Sequence, residues 1–267
     1  MLFDSVKLWY DRATARTLWF VKPRYNVVAL ILGTTWKTCC MIEIEAKFRV
    51  DQHTIFLDLL RSTVLGPFAL MPTPGIEYQH NTYFDTLDRR LTAQRYSIRV
   101  RDLGRRRIGT VKRSVDTQAG IHTREEWEVE LDASDDPYAW PDSVARDRAI
   151  AALGGAPVVP LITVHTQRQY IYAMRDSVVV AELSLDVGTI IAGDQTIDFR
   201  EIEVELIEGQ LRTDLDLLVG HLRSRYVLVL ELRGKKTRGM ALLDNPSQAA
   251  PMPPSDLERA RAIGSHG

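Results

Sequence analysis

Cysteine is nearly missing from this 267-residue chain: there are two, adjacent, at Cys39 and Cys40. That excludes a disulfide framework and reads as a cytoplasmic protein. No His or Cys partner stands nearby at ligand spacing, so the pair does not read as a zinc site. Long hydrophobic runs are missing too. The longest uniform one, Val27–Leu32, falls far short of the roughly 20 residues a membrane helix needs. The basic, briefly apolar segment before Met41 closes on no small-residue cleavage pattern, so no signal peptide is expected. An excess of one charge is also absent: 34 Lys and Arg face 35 Asp and Glu, for a net charge of −1. Neither nucleic acid nor a membrane surface is therefore expected as a partner, and any anion site must come from local segregation of charge. With 45% apolar and 26% charged residues, what remains is an ordinary soluble globular composition.

Residues 1–40 show no clean period, and Met41 then opens a strong strand pattern. The expected organisation is an N-terminal extension over 1–40 (with Met41 as the biological start), a domain over 41–243, and a disordered tail over 244–267 rich in Pro, Ser and Ala. Within the domain, Ile42, Ile44, Ala46 and Phe48 alternate with Glu43, Glu45, Lys47 and Arg49, the period-two signature of a strand. Further strands are expected near 77–84, 96–101, 108–114, 123–131, 162–174, 178–187, 197–207 and 227–230, separated by turn signals such as Asp176-Ser177 and Gly193-Asp194. Three helices interrupt them. One spans 54–65, one runs from Asp142 to a stop at Gly154, and one spans 211–222 with Leu211, Leu215, Leu218 and Leu222 on one stripe. Many antiparallel strands with few helices imply a barrel or a sandwich.

Residues i, i+2 and i+4 of a strand share a face. Glu43, Glu45 and Lys47 therefore point together, as do Arg99 with Arg101, Thr110 with Lys112, Arg124 with Glu126, Glu182 with Asp186, and Glu201 with Glu203 and Glu205. Each face alone reads as the solvated side of a sandwich. The sorting of signs argues otherwise. Two arginines about 7 Å apart on one strand repel by about 2 kcal/mol at an effective dielectric near 20. Several such clusters, acidic on some strands and basic on others, point to a lined cavity with two kinds of guest. Paired carboxylates suit Mg²⁺ or Mn²⁺, and clustered Arg and Lys suit phosphate oxygens. A closed barrel of about eight strands encloses room for one small ligand, its apolar outer faces covered in part by the three helices.

The same residues resemble, in order, the signatures of the CYTH or triphosphate tunnel metalloenzyme superfamily. E-I-E-A-K (Glu43, Glu45, Lys47) is followed by Y-F-D-T (Tyr83–Thr86), S-I-R-V-R (Arg99, Arg101), G-T-V-K-R (Lys112), H-T-R-E-E-W-E (Arg124, Glu126), a lone Arg168, L-D-V-G (Asp186), E-I-E-V-E-L (Glu201, Glu203, Glu205) and K-K-T-R-G (Lys235, Arg238). The resemblance covers about 41–243. It implies a mainly antiparallel α+β fold: an eight-stranded closed tunnel with helices packed outside. It implies that Lys47, Arg99, Arg101, Lys112, Arg124, Arg168, Lys235 and Arg238 hold a triphosphate, and that Glu43, Glu45, Asp186, Glu203 and Glu205 hold Mg²⁺ or Mn²⁺. Glu126 is a further acidic candidate. Glu205, Glu203 and Lys47 are the expected catalytic set, acting on a metal-activated water. His165 stands where relatives often carry another basic residue, and it reads as a strand-face histidine with a local hydrogen bond. His122 reads as a turn residue, Lys236 as solvated, and Tyr83, Phe84 and Trp127 as packing residues.

The stretches around Arg124 and Glu205 look most like the bacterial inorganic triphosphatase branch, which cleaves tripolyphosphate to pyrophosphate and phosphate. A class IV adenylate cyclase and a thiamine triphosphatase would use the same lining. A non-catalytic polyphosphate or nucleotide sensor would keep the basic residues and lose the metal carboxylates, both pairs of which remain here. The expected partner is a small-molecule triphosphate, and a homodimer is compatible with it.

Overall fold

The computed structural model describes residues 41–118 and 120–245, together with the backbone of 7–10 and 17–20. Residues Met1–Cys39 and Cys40–Gly267 form separate units. In the first, Lys7–Tyr10 and Thr17–Phe20 pair as an antiparallel hairpin. The remaining expectations for the extension, and those for the tail beyond 245, lie outside the described residues. No helix among the described residues is long and apolar enough to cross a membrane.

The second unit is built on eight long strands. These are β1 (Met41–Arg49), β2 (Glu77–Asp85), β3 (Tyr96–Asp102), β4 (Arg107–Gln118), β5 (Ile121–Leu131), β6 (Val159–Arg175), β7 (Val178–Ala192) and β8 (Gln195–Leu206). They pair in the order β1–β5–β4–β3–β2–β6–β7–β8, and β8 returns to β1, so every pairing is antiparallel and the sheet closes into a ring. Closure removes the free edges that an open sheet would expose. Asp176 and Ser177, the two residues between β6 and β7, both take positive φ (50° and 66°), the type I′ conformation that matches the twist of a hairpin. In L-D-V-G the glycine is a backbone requirement: a Cβ on Gly188 would lie 2.0 Å from the His165 carbonyl oxygen.

Three helices cover the outer apolar faces as expected. α1 (Thr54–Arg61) and α4 (Arg212–Arg225) cover one core, where Ala46, Phe48, Leu183, Ile202 and Val204 meet Leu59, Leu215, Leu218 and Leu222. α3 (Val144–Leu153) places Ala145, Ala149 and Leu153 over Ile98, Val111 and Trp127. Its N-cap is Ser143, whose Oγ accepts from Arg146 N at 3.1 Å, so the start lies just past the expected Asp142. α1 is shorter than expected because Ser62 turns extended, and Val64–Leu65 then pairs with Phe68–Pro72. Leu211 falls outside the α4 stripe: it is the N-cap, 68% exposed. Leu218 is fully buried, so Leu218→Ala should cost about 2–5 kcal/mol in urea unfolding, with an unchanged m-value. A loss below half a kcal/mol would mean α4 does not hold this core.

Two α-helices among the described residues have no counterpart in the expected elements: the single turn α2 (Arg90–Ala93) and α5 (Lys235–Asp244). Asp85 explains the first. Fully buried, it accepts from Thr86 N (2.8 Å), Leu91 N (2.9 Å), Thr92 N (3.0 Å) and Thr92 Oγ (2.6 Å), so the aspartate of Y-F-D-T organises α2 and stays out of the lumen. α5 packs where the ring opens at one end. Its Met240 and Leu242 join Ile162 and Val164 of β6 and Ile190 and Ala192 of β7, positions that share the inner face with Arg168 and Asp186 by period two. A Cβ on Gly239 would meet the Ile162 side chain at 2.7 Å, so glycine lets the helix seat this closely. α5 is thus a stopper seated in one end of the ring.

Candidate active site

The alternation that sends Phe48, Ile98 and Ile202 outward turns the charged residues inward. Glu43, Glu45, Lys47, Arg99, Arg101, Glu126, Arg168, Glu182, Asp186, Glu201, Lys235 and Arg238 are all buried. One side of the wall is acidic. In the strand register Glu45 stands opposite Glu205 and Glu205 opposite Glu182, so three carboxylate positions lie side by side across β1, β8 and β7. The other side carries Arg99 and Arg101 on β3, Lys112 on β4 and Arg124 on β5.

The two sides are tied together by ion pairs. Lys112 Nζ lies 2.8 and 2.7 Å from the two Glu43 oxygens and 3.3 Å from Glu126. Arg124 donates to Glu45 at 2.5 Å. Lys47 Nζ sits between Glu45 (3.3 Å) and Glu203 (3.0 Å). Arg168 grips Asp186 with two 2.6 Å bonds and reaches Glu203 at 2.6 Å. From the stopper, Lys235 Nζ lies 2.9 Å from Asp186, 3.0 Å from Glu201 and 2.7 Å from Glu203, and Arg238 pairs with Glu201. On the opposite wall, Arg99 donates to Thr110 Oγ at 3.2 Å and Arg101 Nε donates to Asn81 at 3.0 Å. Arg99 Nε and Thr166 Oγ are buried with no protein partner among the described residues. Orphaned buried donors are rare in folded proteins and mark places where a ligand or water completes the set.

A match to the CYTH domain family model over residues 41–216 accords with this geometry. The chain belongs to the CYTH family. Among solved structures, the CYTH domain is similar to an adenylyl cyclase candidate from Hippeastrum, HpAC1, described as having a dominant triphosphatase activity. The two share 22% identity over 74% of this chain and 95% of that one, with a TM-score of 0.55. An adenylate cyclase candidate from Bacillus halodurans matches at 19% identity over 82% of this chain and 97% of that one, with a TM-score of 0.45. No match is found among curated proteins. The Hippeastrum likeness confirms the tunnel fold.

Opposite charges in the CYTH lumen hold one another in their ionised forms. Burial alone would raise the Glu45 carboxyl, but Lys47 and Arg124 overcome it and hold the group well below the usual carboxylate range. Burial likewise opposes the charged form of Glu203, and Lys235, Lys47 and Arg168 outweigh it. Lys47 and Lys235 show the converse: burial disfavours the ammonium, and the carboxylates around it raise its pKa. A carboxyl lowered by folding contributes stability that is fully present above its ordinary value and lost as pH falls through the folded value. For Glu45 and Glu203 the ordinary value is 4.5. Burial lowers the pKa of His122 and of His165 from 6.5, so the urea midpoint of the ligand-free protein should decline gently as pH falls through 6.5, and the Glu45 and Glu203 pairing should steepen that fall below pH 4.5. A slope that does not steepen below pH 4.5 would contradict this pairing.

The structure brings Glu43, Glu45, Glu203, Glu205, Asp186, Lys47, Arg99, Arg101, Lys112, Arg124, Arg168, Lys235 and Arg238 to the inner face of the CYTH ring or its stopper. Glu201 and Glu182 belong there too. Glu201 stands in E-I-E-V-E-L and Glu182 shares a strand face with Asp186, yet the resemblance gives neither a role. Two expectations are corrected. His122 is a buried strand residue of β5, opposite Glu45 and bonded through Nδ1 to Thr117 Oγ at 3.1 Å; the β4–β5 turn comes just before it. Lys236 is not solvated. Its Nζ bonds Asp85 at 3.1 Å and Tyr96 O at 3.2 Å, because α5 turns both lysines of K-K-T-R into the protein. Phe84 and Trp127 are core residues as expected. Tyr83 packs against the stopper core, and Arg99, Lys235 and Arg101 pull its phenol pKa down against the effect of burial. His165 lies on the outer face, exposed.

Proposed function

We propose that this protein hydrolyses a triphosphate with the help of a divalent metal, with tripolyphosphate giving pyrophosphate and phosphate. One observation carries the reading: buried acidic and basic strand faces converge on a single enclosed lumen that is stopped at one end. A polyphosphate chain needs cations along its length, and its metal needs oxygen ligands.

The donor set fits Mg²⁺ or Mn²⁺. Among the described residues it consists of carboxylates, with no thiol and no lumen imidazole beyond His122. We assign Glu43, Glu45, Glu203, Glu205 and Asp186 to metal holding. Asp186, Glu201 and Glu203 offer oxygens within 4.8 Å of one another, but Lys235 Nζ sits among those three carboxylates. A metal there would compete with that ammonium, as one at Glu43 and Glu45 would compete with Lys112, Arg124 and Lys47. A bound divalent ion would neutralise phosphate charge and acidify a water. Arg99, Arg101, Lys112, Arg124 and Arg168 would line up the phosphoryl oxygens, and Lys235 and Arg238 would receive the innermost phosphate. Lys47, held between Glu45 and Glu203, would steady the phosphoryl group under attack. Water would attack its phosphorus in line, with the Glu205 carboxylate accepting the proton as the phosphoanhydride bond breaks.

A cyclase would use the same wall on ATP, and the description of the Hippeastrum neighbour favours triphosphatase chemistry. The test is incubation with tripolyphosphate, ATP and thiamine triphosphate, each with Mg²⁺ and with Mn²⁺, while phosphate, pyrophosphate and cyclic AMP are measured. Phosphate release fastest from tripolyphosphate is expected. Cyclic AMP from ATP would make it a lyase, and tight binding without turnover of any substrate would make it a sensor.

A further inference from the structure

The outer face of the ring carries a second constellation that the lumen does not use. Where β2 pairs with β6, His80 stands directly opposite His165. Both side chains are exposed. Their ring centroids are 4.4 Å apart with planes at 74°. The register extends the row in both directions. Asp102 of β3 is opposite His80, and Thr189 of β7 is opposite His165 with its Oγ donating to Asp198 at 2.6 Å. Both histidines sit in the middle of ring strands, so the backbone fixes their spacing.

We propose that His80 and His165 form a surface site for a borderline divalent transition-metal ion such as Cu²⁺, Ni²⁺ or Zn²⁺, distinct from the oxygen-lined lumen. Imidazole nitrogens select these ions over Mg²⁺ and Ca²⁺. A metal–nitrogen bond near 2.0–2.1 Å puts two imidazoles bound at a right angle about 4.5 Å apart, centre to centre. The ring centroids already stand at nearly that separation. Asp102, one strand spacing of about 5 Å beyond His80, places a carboxylate on the same row, with its Oδ1 accepting from Gly104 N at 2.7 Å. Burial and then the neighbouring His80 keep the His165 pKa below its ordinary value, which leaves the imidazole neutral and able to bind metal near neutral pH. The competing account is that the two rings make only an edge-to-face contact.

The inference is independent of the hydrolysis proposed above, and so is its test. The tag-free full-length protein is titrated with Cu²⁺ and followed by electron paramagnetic resonance. At one equivalent, the wild type should show superhyperfine splitting from two imidazole nitrogens. His80→Asn and His165→Asn should each reduce this to one nitrogen and weaken Cu²⁺ binding at least about tenfold. Ni²⁺ or Zn²⁺ should raise the wild-type melting temperature more than that of either variant, in which only the lumen carboxylates remain to bind it. An oxygen-only copper spectrum in the wild type would overturn the site, as would a nitrogen pattern unchanged in both variants. The first result would show a ring contact and nothing more, with copper drawn to the lumen carboxylates.

Discussion

Glu205→Gln is expected to abolish turnover while leaving triphosphate affinity nearly intact. The carboxylate stands between Glu45 and Glu182 in the strand register, on the acidic side of the wall. Glutamine fills the same space and relieves local repulsion, so the ring should keep its fold. What disappears is a negative oxygen able to hold a divalent ion and accept a proton. Interactions of this kind supply several kcal/mol of transition-state stabilisation. A loss of about 3–4 kcal/mol corresponds to roughly a 10²- to 10³-fold fall in kcat. The arginines and lysines that would grip the phosphates sit mainly on β3, β4, β5 and β6 and are untouched, so the dissociation constant measured calorimetrically should change by less than about threefold. A variant retaining half the wild-type kcat would remove Glu205 from the mechanism.

Arg101→Ala should do the opposite. Arg101 is buried on the inner face of β3, with its Nε bonded to Asn81. Hydrogen bonds to charged groups contribute about 1.5–3 kcal/mol, so its removal should weaken triphosphate binding by roughly 10- to 150-fold. Arg101→Lys should recover part of this, since it keeps the charge and loses the two-pronged geometry. Unchanged affinity in the alanine variant would place the triphosphate elsewhere. The two variants together form a cross-check: one is expected to separate chemistry from binding, the other to strike binding first.

Strand parity made the ring readable. Alternation around Glu43, Arg99 and Glu203 told which residues share a face, and the sorting of signs told that those faces meet. Parity also pointed to Glu182 and Glu201. What it could not show was pairing across strands. That Lys235 comes to rest among Asp186, Glu201 and Glu203 depends on a helix whose own pattern is weak: α5 runs Lys, Lys, Thr, Arg and Gly before Met, Ala and two Leu, with no apolar stripe along its length, and it is stabilised by what it plugs into. Its inward lysines were legible as a motif but not as a helix. His122 was misplaced for a related reason. A histidine beside a turn signal looks local, and only the register opposite Glu45 reveals that it is interior.

The stopper also dictates how a long substrate is handled. A pipe open at both ends would let a polymeric phosphate slide through and be cut anywhere along its length. With α5 seated in one end, the lumen is a cul-de-sac: on the proposed reading a chain would enter by its tip, and the released fragment would leave by the way it came. Such a catalyst trims from termini, and each further cut must wait until the previous product has backed out.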